Sequence, residues 1–257
     1  AGMACKEFTP VVAIYSTFMQ RAYDCAMHDV CLQNLPVCIL SDHVGLVGDD
    51  GKTHHGVLSV PMLMSIPNLT LLAPRDTRQI RQAVRATLKL DGPCVVQYPK
   101  EGIEPYAQNV TGEPFAVGKW QTLIPGGQDA VILAYGRMTQ NAIQASELLV
   151  RRGLSVGVID CCSLKPLDMD CLRALFERRA KIVTIEEGEM IGGFGSEIAR
   201  VCVEENADAP VQIIGLENRF ITHGSVPELL RECGLTPEQL ADRIEEIAGD
   251  KESSHVG

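Results

Sequence analysis

The chain has 257 residues, of which 46% are hydrophobic and 22% charged, with a net charge of −10 and a pI near 5.1. That balance suits one large or two ordinary globular α/β domains and excludes nucleic acid as the main partner. No apolar run approaches the roughly 18 residues of a membrane span, and no charged n-region leads into an apolar h-region, so the expected location is cytoplasmic with no membrane partner. None of the ten cysteines forms a CxxC pair, and most lie in apolar runs such as "PVCIL" and "PCVVQY". They read as small buried hydrophobes in a reducing compartment, with no structural metal site.

In chain order, "PVVAIYS" predicts a strand, "FMQRAYDCAMHDVCLQN" a helix with Ala22, Ala26, Val30 and Leu32 on its apolar side, and "PVCILSD" a second strand. The loop "VGLVGDDGKTHHG", residues 44–56, follows. "NLTLLAP" is a strand, "DTRQIRQAVRATLKL" a helix capped by Asp76, and "PCVVQYP" a strand. Short apolar runs alternating with helices predict a mostly parallel sheet covered on both faces. Residues 101–128 lack periodicity and read as a linker with at most one extended piece. Beyond them the strands are "AVILAYG", "SVGVIDC", "KIVTIEEG" and "VQIIGL". The helices are about 138–152, 169–178, 192–206, 225–233 and 237–248, two of them capped by Asp168 and Thr236. The fold class is α/β: two three-layer domains, 1–105 and 129–257, joined by a linker over 106–128.

Several stretches are candidates for chemistry. In "IYSTFMQRAYD" a buried strand runs into aromatic residues and an arginine, at the strand end where open parallel sheets bind ligands. The 44–56 loop carries Asp49, Asp50, His54 and His55. It reads either as turn formers or as a functional loop, and its acids and histidines are too few to define a metal site. "GGFGSEIAR", 192–200, resembles a phosphate-gripping turn before a helix but lacks the third glycine of a dinucleotide fingerprint, so a tight turn is the simpler expectation. Glu186, Glu187 and Glu189 in "TIEEGEM" read as solvated carboxylates. Arg78, Arg81, Arg85 and Lys89 share one helix face, either solvated or a docking surface for an acidic partner. Neither a GxSxG elbow nor a GxxxxGK[ST] loop occurs.

Taken in series, "YSTFMQRAYDCAMHDVCLQNLPV", "VGLVGDDGKTHHG", "IPNLTLLAP", "DGPCVVQYPKEG", "SLKPLD" and "GGFGSEI" closely resemble the 1-deoxy-D-xylulose-5-phosphate synthases. These are thiamine-diphosphate enzymes of the transketolase superfamily. The resemblance spans nearly the whole chain and implies a pyrimidine-binding domain followed by a transketolase C-terminal domain. It implies a transferase that condenses pyruvate with glyceraldehyde 3-phosphate, with loss of carbon dioxide, for isoprenoid and thiamine synthesis. It further implies that Phe18 stacks on the cofactor's aminopyrimidine ring, that Tyr15 and Arg21 line the substrate pocket, and that Asp50 and His54 face the reacting groups. Such an enzyme is expected to be a homodimer.

The family's diphosphate and magnesium site lies in a preceding domain, and no GDG…N element occurs here. The activating glutamate lies upstream of Ala1, so the chain is expected to be a C-terminal section or a split subunit, inactive without its N-terminal domain. Two positions depart from the family: "SDHVG" has His43, and "YPKEG" has Lys100, where relatives carry arginines that hold the substrate phosphate. Those departures keep open a split transketolase subunit acting on other sugar phosphates, or a non-catalytic module.

Overall fold

The computed structural model describes residues 1–6, 8–103 and 115–249; part of the expected linker, 104–114, lies outside them. The first sheet contains β1 (Val11–Tyr15), β2 (Cys38–Asp42), β3 (Thr70–Leu72), β4 (Cys94–Gln97) and β8 (Ser163–Lys165), in the order β1-β2-β4-β3-β8. The second contains β5 (Gln121–Ile124), β6 (Ala130–Ala134), β7 (Val156–Asp160), β9 (Ile182–Glu189) and β10 (Val211–Leu216), in the order β10-β9-β6-β7-β5. The pairings are parallel except β3 with β8 and β5 with β7. Two mostly parallel α/β sheets are therefore the architecture that the alternating apolar runs predict.

β5 is the one extended piece expected within the linker, and it joins the second sheet. β8, which the sequence does not announce, reaches back from the second half to close the first sheet. The halves also share a core. Ile39, Leu71 and Val95 belong to the same buried cluster as Leu133, Ile159 and Phe194. Phe194 meets Trp120 and Tyr135 edge-on, with ring centroids 6.0 and 5.5 Å apart, a favoured aromatic geometry. Arg75 adds a polar tie. Its guanidinium donates to Gln121 at 2.8 Å and to the buried Asp160 at the end of β7, which also accepts from Gln79 at 2.7 Å.

The helices are α1 (Tyr23–Cys25), α2 (Ser59–Met64), α3 (Thr77–Thr87), α4 (Met138–Arg151), α5 (Met169–Glu177), α6 (Phe194–Glu204), α7 (Val226–Glu232) and α8 (Pro237–Gly249). The Asp76 and Asp168 caps form, accepting from Gln79 N and Cys171 N. Thr236 accepts from Gln239 N at 3.4 Å. The long helix predicted after β1 is broken. A 3₁₀ turn over Phe18–Gln20 leads through α1 into a π-type segment over Ala26–Cys31. That change of period turns Leu32, expected on the apolar side, out to solvent. α2, which starts within a "LSVPMLM" run, was not anticipated either.

Candidate functional site

Because β1, β2 and β4 are neighbouring parallel strands, their carboxyl ends converge on one edge. Tyr15 closes β1 and pairs in register with Asp42, which closes β2. Next to Asp42, His43 adopts a left-handed backbone, φ 57°, and its carbonyl accepts the Ser16 hydroxyl at 2.7 Å. Gly56 lies against this turn. A Cβ there would come within 2.4 Å of both that carbonyl and Ser16 Oγ, so the 44–56 loop can pack onto the strand ends only with glycine at that position. Lys100 lies just past β4, and Val44 N donates to Tyr98 O at 3.2 Å to hold the loop beside it.

This edge carries an aromatic stack. The His43 ring lies over Tyr15 with centroids 4.1 Å apart, and Phe18 stacks on Tyr15 at 5.0 Å. His54 meets both Tyr15 and Phe18 edge-on, at 5.6 and 6.2 Å. Tyr15 Oη donates to His54 O at 3.4 Å. Burial, with Asp50 and Asp42 nearby, pushes the Tyr15 phenol up to about 12, so it stays a protonated donor at neutral pH. His43 Nδ1 is 2.8 Å from Asp42 Oδ1, and His54 Nδ1 is 2.9 Å from Thr53 Oγ1. Lys100 Nζ is 3.1 Å from Asp50 Oδ2 and holds the Asp50 carboxyl below the usual range. Of the seven residues singled out by resemblance, six thus share this edge. Arg21, exposed on the turn behind Phe18, has no hydrogen bond or ion pair from its side chain to the others.

His55 is different in kind. It is buried, and its Nδ1 accepts from Val47 N at 3.1 Å. Nε2 must then carry the proton, and it donates to Thr222 O at 3.0 Å. His55 is a neutral tie between loop and second half, with both nitrogens used.

A cavity of about 640 Å³ opens beside Thr17 and Gln20, between the first half and the segment after β10. Thr17, Gln20, Lys52, Thr53 and Leu58 form one wall, Asn218, Arg219, Phe220 and Ile221 the other. Sequence reading missed this second wall, although the rule that sites gather past strand ends points to the residues following β10 as well.

Phe18 is 56% exposed, with ring area left free for a flat ligand. The Thr17 hydroxyl is buried and has no hydrogen-bond partner. An exposed aromatic ring at this edge fits the stacking of a flat ring such as an aminopyrimidine. A diphosphate finds no equivalent place in the glycine turn at 192–195. There the amides of Phe194 and Gly195 donate to Glu186 at 3.0 and 2.9 Å, so the protein's own carboxylate occupies the helix N-terminus. The expectation of solvated carboxylates is corrected throughout this strand end. Glu186, Glu187 and Glu189 are all buried. Burial pushes Glu186 up to about 7. Glu187 pairs with Arg137 at 3.1 Å and accepts Leu46 N at 2.8 Å. Glu189 accepts Asn218 Nδ2 at 3.0 Å. Among the described residues, no three His, Cys, Asp or Glu side chains converge as a metal site.

Comparison with known proteins gives two family matches: "Transketolase, pyrimidine binding domain" over residues 1–104 and "Transketolase, C-terminal domain" over residues 118–240. Among curated relatives, the chain is 38% identical to the 1-deoxy-D-xylulose-5-phosphate synthase of Crocosphaera subtropica over 96% of its own length and 39% of that protein's. It is 42% identical to the Thermus thermophilus synthase over 93% of its length and 37% of the relative's. The chain thus spans about two-fifths of these relatives. Among solved structures it is similar to a "Split gene transketolase, inactive beta4 tetramer", with a TM-score of 0.87 and 28% identity, over 98% of this chain and 80% of that one. A Pichia stipitis transketolase variant shares the fold, with a TM-score of 0.75 at 19% identity, over 96% of this chain and 35% of that one.

Proposed function

Since this chain belongs to the transketolase family, we propose that it is the C-terminal section of a thiamine-diphosphate-dependent 1-deoxy-D-xylulose-5-phosphate synthase, acting on pyruvate and glyceraldehyde 3-phosphate. The observation that carries the reading is the joint placement of Tyr15, Phe18, His43, Asp50, His54 and Lys100 at one strand edge. When bound, thiamine diphosphate supplies an electron sink for the decarboxylation of pyruvate. Phe18 offers its exposed ring to the aminopyrimidine. Thr53 Oγ1 and His54 Nδ1 share a hydrogen bond at 2.9 Å; in the tautomer in which Thr53 donates, the His54 Nε2–H is left to hydrogen-bond and polarise the acceptor aldehyde's oxygen. Asp50, kept ionised by Lys100, can hold a substrate hydroxyl. Arg21, Lys100 and His43 turn toward the anionic end of the acceptor. The diphosphate and its magnesium are held by a part outside these residues, and without that part the chain does not turn over. The working assembly is a cytoplasmic homodimer of the completed enzyme.

The test combines this chain with the section of the Thermus thermophilus synthase outside the matched region, thiamine diphosphate and magnesium, and follows pyruvate consumption with glyceraldehyde 3-phosphate. Turnover in the mixture and none in the separate parts is expected; no turnover from a formed complex would sink the assignment.

A second reading, the C-terminal subunit of a split transketolase acting on other sugar phosphates, is favoured by the likeness to the split-gene chain and by His43 and Lys100 standing where the family resemblance implies arginine. Arginine grips phosphate bidentately, which neither replacement does. His43→Arg is therefore expected to lower the KM for the phosphorylated aldehyde by the scale of one charged hydrogen bond, about 1.5–3 kcal/mol. An unchanged ratio of KM values between phosphorylated and unphosphorylated aldehydes would show that position 43 does not meet the phosphate.

A further inference from the structure

All ten cysteines are free thiols. Two of them face each other at the amino ends of neighbouring strands. Cys38 opens β2, Cys94 opens β4, and the two are register partners in a parallel pairing. Register partners point their side chains to the same side of a sheet, and neighbouring strands lie about 4.8 Å apart. That spacing falls within the roughly 4.4–6.8 Å between Cα atoms that a disulfide spans. The two thiols hydrogen-bond to each other, and both reach the Thr87 hydroxyl on α3, which lies 3.3 Å from Cys38 Sγ. Thr87 donates its own proton to Val84 O at 2.9 Å, which leaves its oxygen to accept from a thiol. The hydrogen bond from Cys94 holds the Cys38 thiol below its ordinary value, while that bond and burial push Cys94 above its own. Cys38 is thus the sulfur that gives up its proton and Cys94 the one that keeps it, the division between an attacking and a resolving thiol.

We propose that Cys38 and Cys94 form a reversible dithiol–disulfide couple, a redox site that staples β2 to β4 when the chain meets a peroxide. The Cys38 thiolate attacks one oxygen of hydrogen peroxide. An S–O bond forms, the O–O bond breaks, and the departing hydroxide takes up the proton that Cys38 gave up. The Cys94 sulfur then attacks the Cys38 sulfur. An S–S bond forms, the S–O bond breaks, and the oxygen leaves as water with the Cys94 proton. Two thiols are oxidised by two electrons, peroxide is reduced to two waters, and a dithiol reductant reverses the change. Both residues are 1% exposed, so the reagent must be small. Their cover is the last turn of α3, where Thr87 is followed by the exposed Leu88 and Lys89, and helix ends open locally at little cost. The staple lies on the two strands that lead to the candidate site: β2 runs to Asp42 and His43, and the chain beyond β4 carries Lys100.

The test treats the reduced full chain with hydrogen peroxide, blocks the remaining thiols and maps the peptides. The expected product has lost two of its ten thiols and two hydrogens in mass, carries a Cys38–Cys94 cross-link, and returns to the starting form with dithiothreitol. Hydrogen exchange at 38–42 and 94–97 should slow severalfold in the oxidised chain. Cys94→Ala should instead carry a dimedone-reactive sulfenic acid on Cys38, and Cys38→Ala should keep Cys94 as a thiol. Circular dichroism checks the fold of the reduced variants; if either fails to fold, the wild-type map alone decides. Cys38 and Cys94 both left free while the exposed Cys5 and Cys25 oxidise, a cross-link between other cysteines such as Cys161 and Cys162, or unchanged exchange in the oxidised chain would each overturn the proposal. So would a sulfenic acid found on Cys94 in Cys38→Ala and none on Cys38 in Cys94→Ala, which would reverse the two roles.

Discussion

The two sheets end in the same way and use their ends differently. At the carboxyl edge of the second sheet, Glu186, Glu187, Glu189 and Asp160 are buried, and each has its partners within the chain: helix amides, a loop amide, Asn218 and two arginines. At the edge of the first sheet, Phe18, Asp50 and Lys100 are exposed, and the Thr17 hydroxyl is left without a partner. Equivalent positions in one architecture have thus become a closed structural edge and an open one. A carboxylate is not by itself a sign of chemistry. What distinguishes the open edge is ring area and charge that the chain leaves exposed to solvent.

The sharpest way to break this contrast is to compare two phenylalanines. Phe194→Ala, in the shared core, is expected to cost about 3–5 kcal/mol in denaturant unfolding. Phe18→Ala should leave the unfolding midpoint nearly unmoved and weaken cofactor binding in the completed enzyme by about 1–3 kcal/mol. Similar unfolding losses for both would erase the distinction between edges.

Arg75→Met removes the cation from a fully buried Asp160 and is expected to cost about 3–5 kcal/mol, because an uncompensated buried charge remains. A loss below about 1 kcal/mol would show that Gln79 and Thr139 suffice for that carboxylate.

Glu186 gives the closed edge a pH signature. Its folded value, about 7, lies above its ordinary 4.5, so the folded chain binds the extra proton between those limits. Stability should therefore fall as pH rises from about 4.5 to 7, by up to about 3 kcal/mol from this group, and level off above. Glu186→Gln should flatten that slope, and melts at pH 5, 6 and 7 compare the two directly. An identical slope in the variant would assign the effect to other groups.

The smallest effect belongs to the open edge. Lys100→Gln breaks an exposed pair and should not move the melting temperature measurably, but the Asp50 carboxyl should titrate at higher pH. Carboxyl chemical shifts followed through an acid titration would detect this, and an unmoved Asp50 would show that Lys100 does not govern it.

Much of this was legible in the sequence. β6 and the apolar part of β7 are runs whose burial follows from composition, and Asp76 and Asp168 announce their caps. The open edge was reached through a resemblance resting on motifs around Phe18, Asp50 and His54. What stayed hidden depends on partners far away in the chain. β8 is a short edge strand defined by what it pairs with, not by its own periodicity. Glu186 reads as solvated until the amides of Phe194 and Gly195 are placed on it. Phe220 belongs to the cavity only because the second half folds against the loop at 44–56.

The strand β8 has a consequence for how such proteins can be recombined. It lies beyond residue 160 yet supplies an edge to the first sheet, with Leu71 opposite Lys165 and Lys165 Nζ reaching the carbonyls of Met64 and Ile66. A crossover placed in the 104–118 gap would look natural from the family boundaries. It would nevertheless hand each chimera a first sheet completed by a foreign strand. Exchange between relatives should succeed when residues 163–165 travel with the pyrimidine-binding half, or when the donor's strand matches Leu71 and Leu72, so the unit of modular inheritance here is discontinuous in the gene.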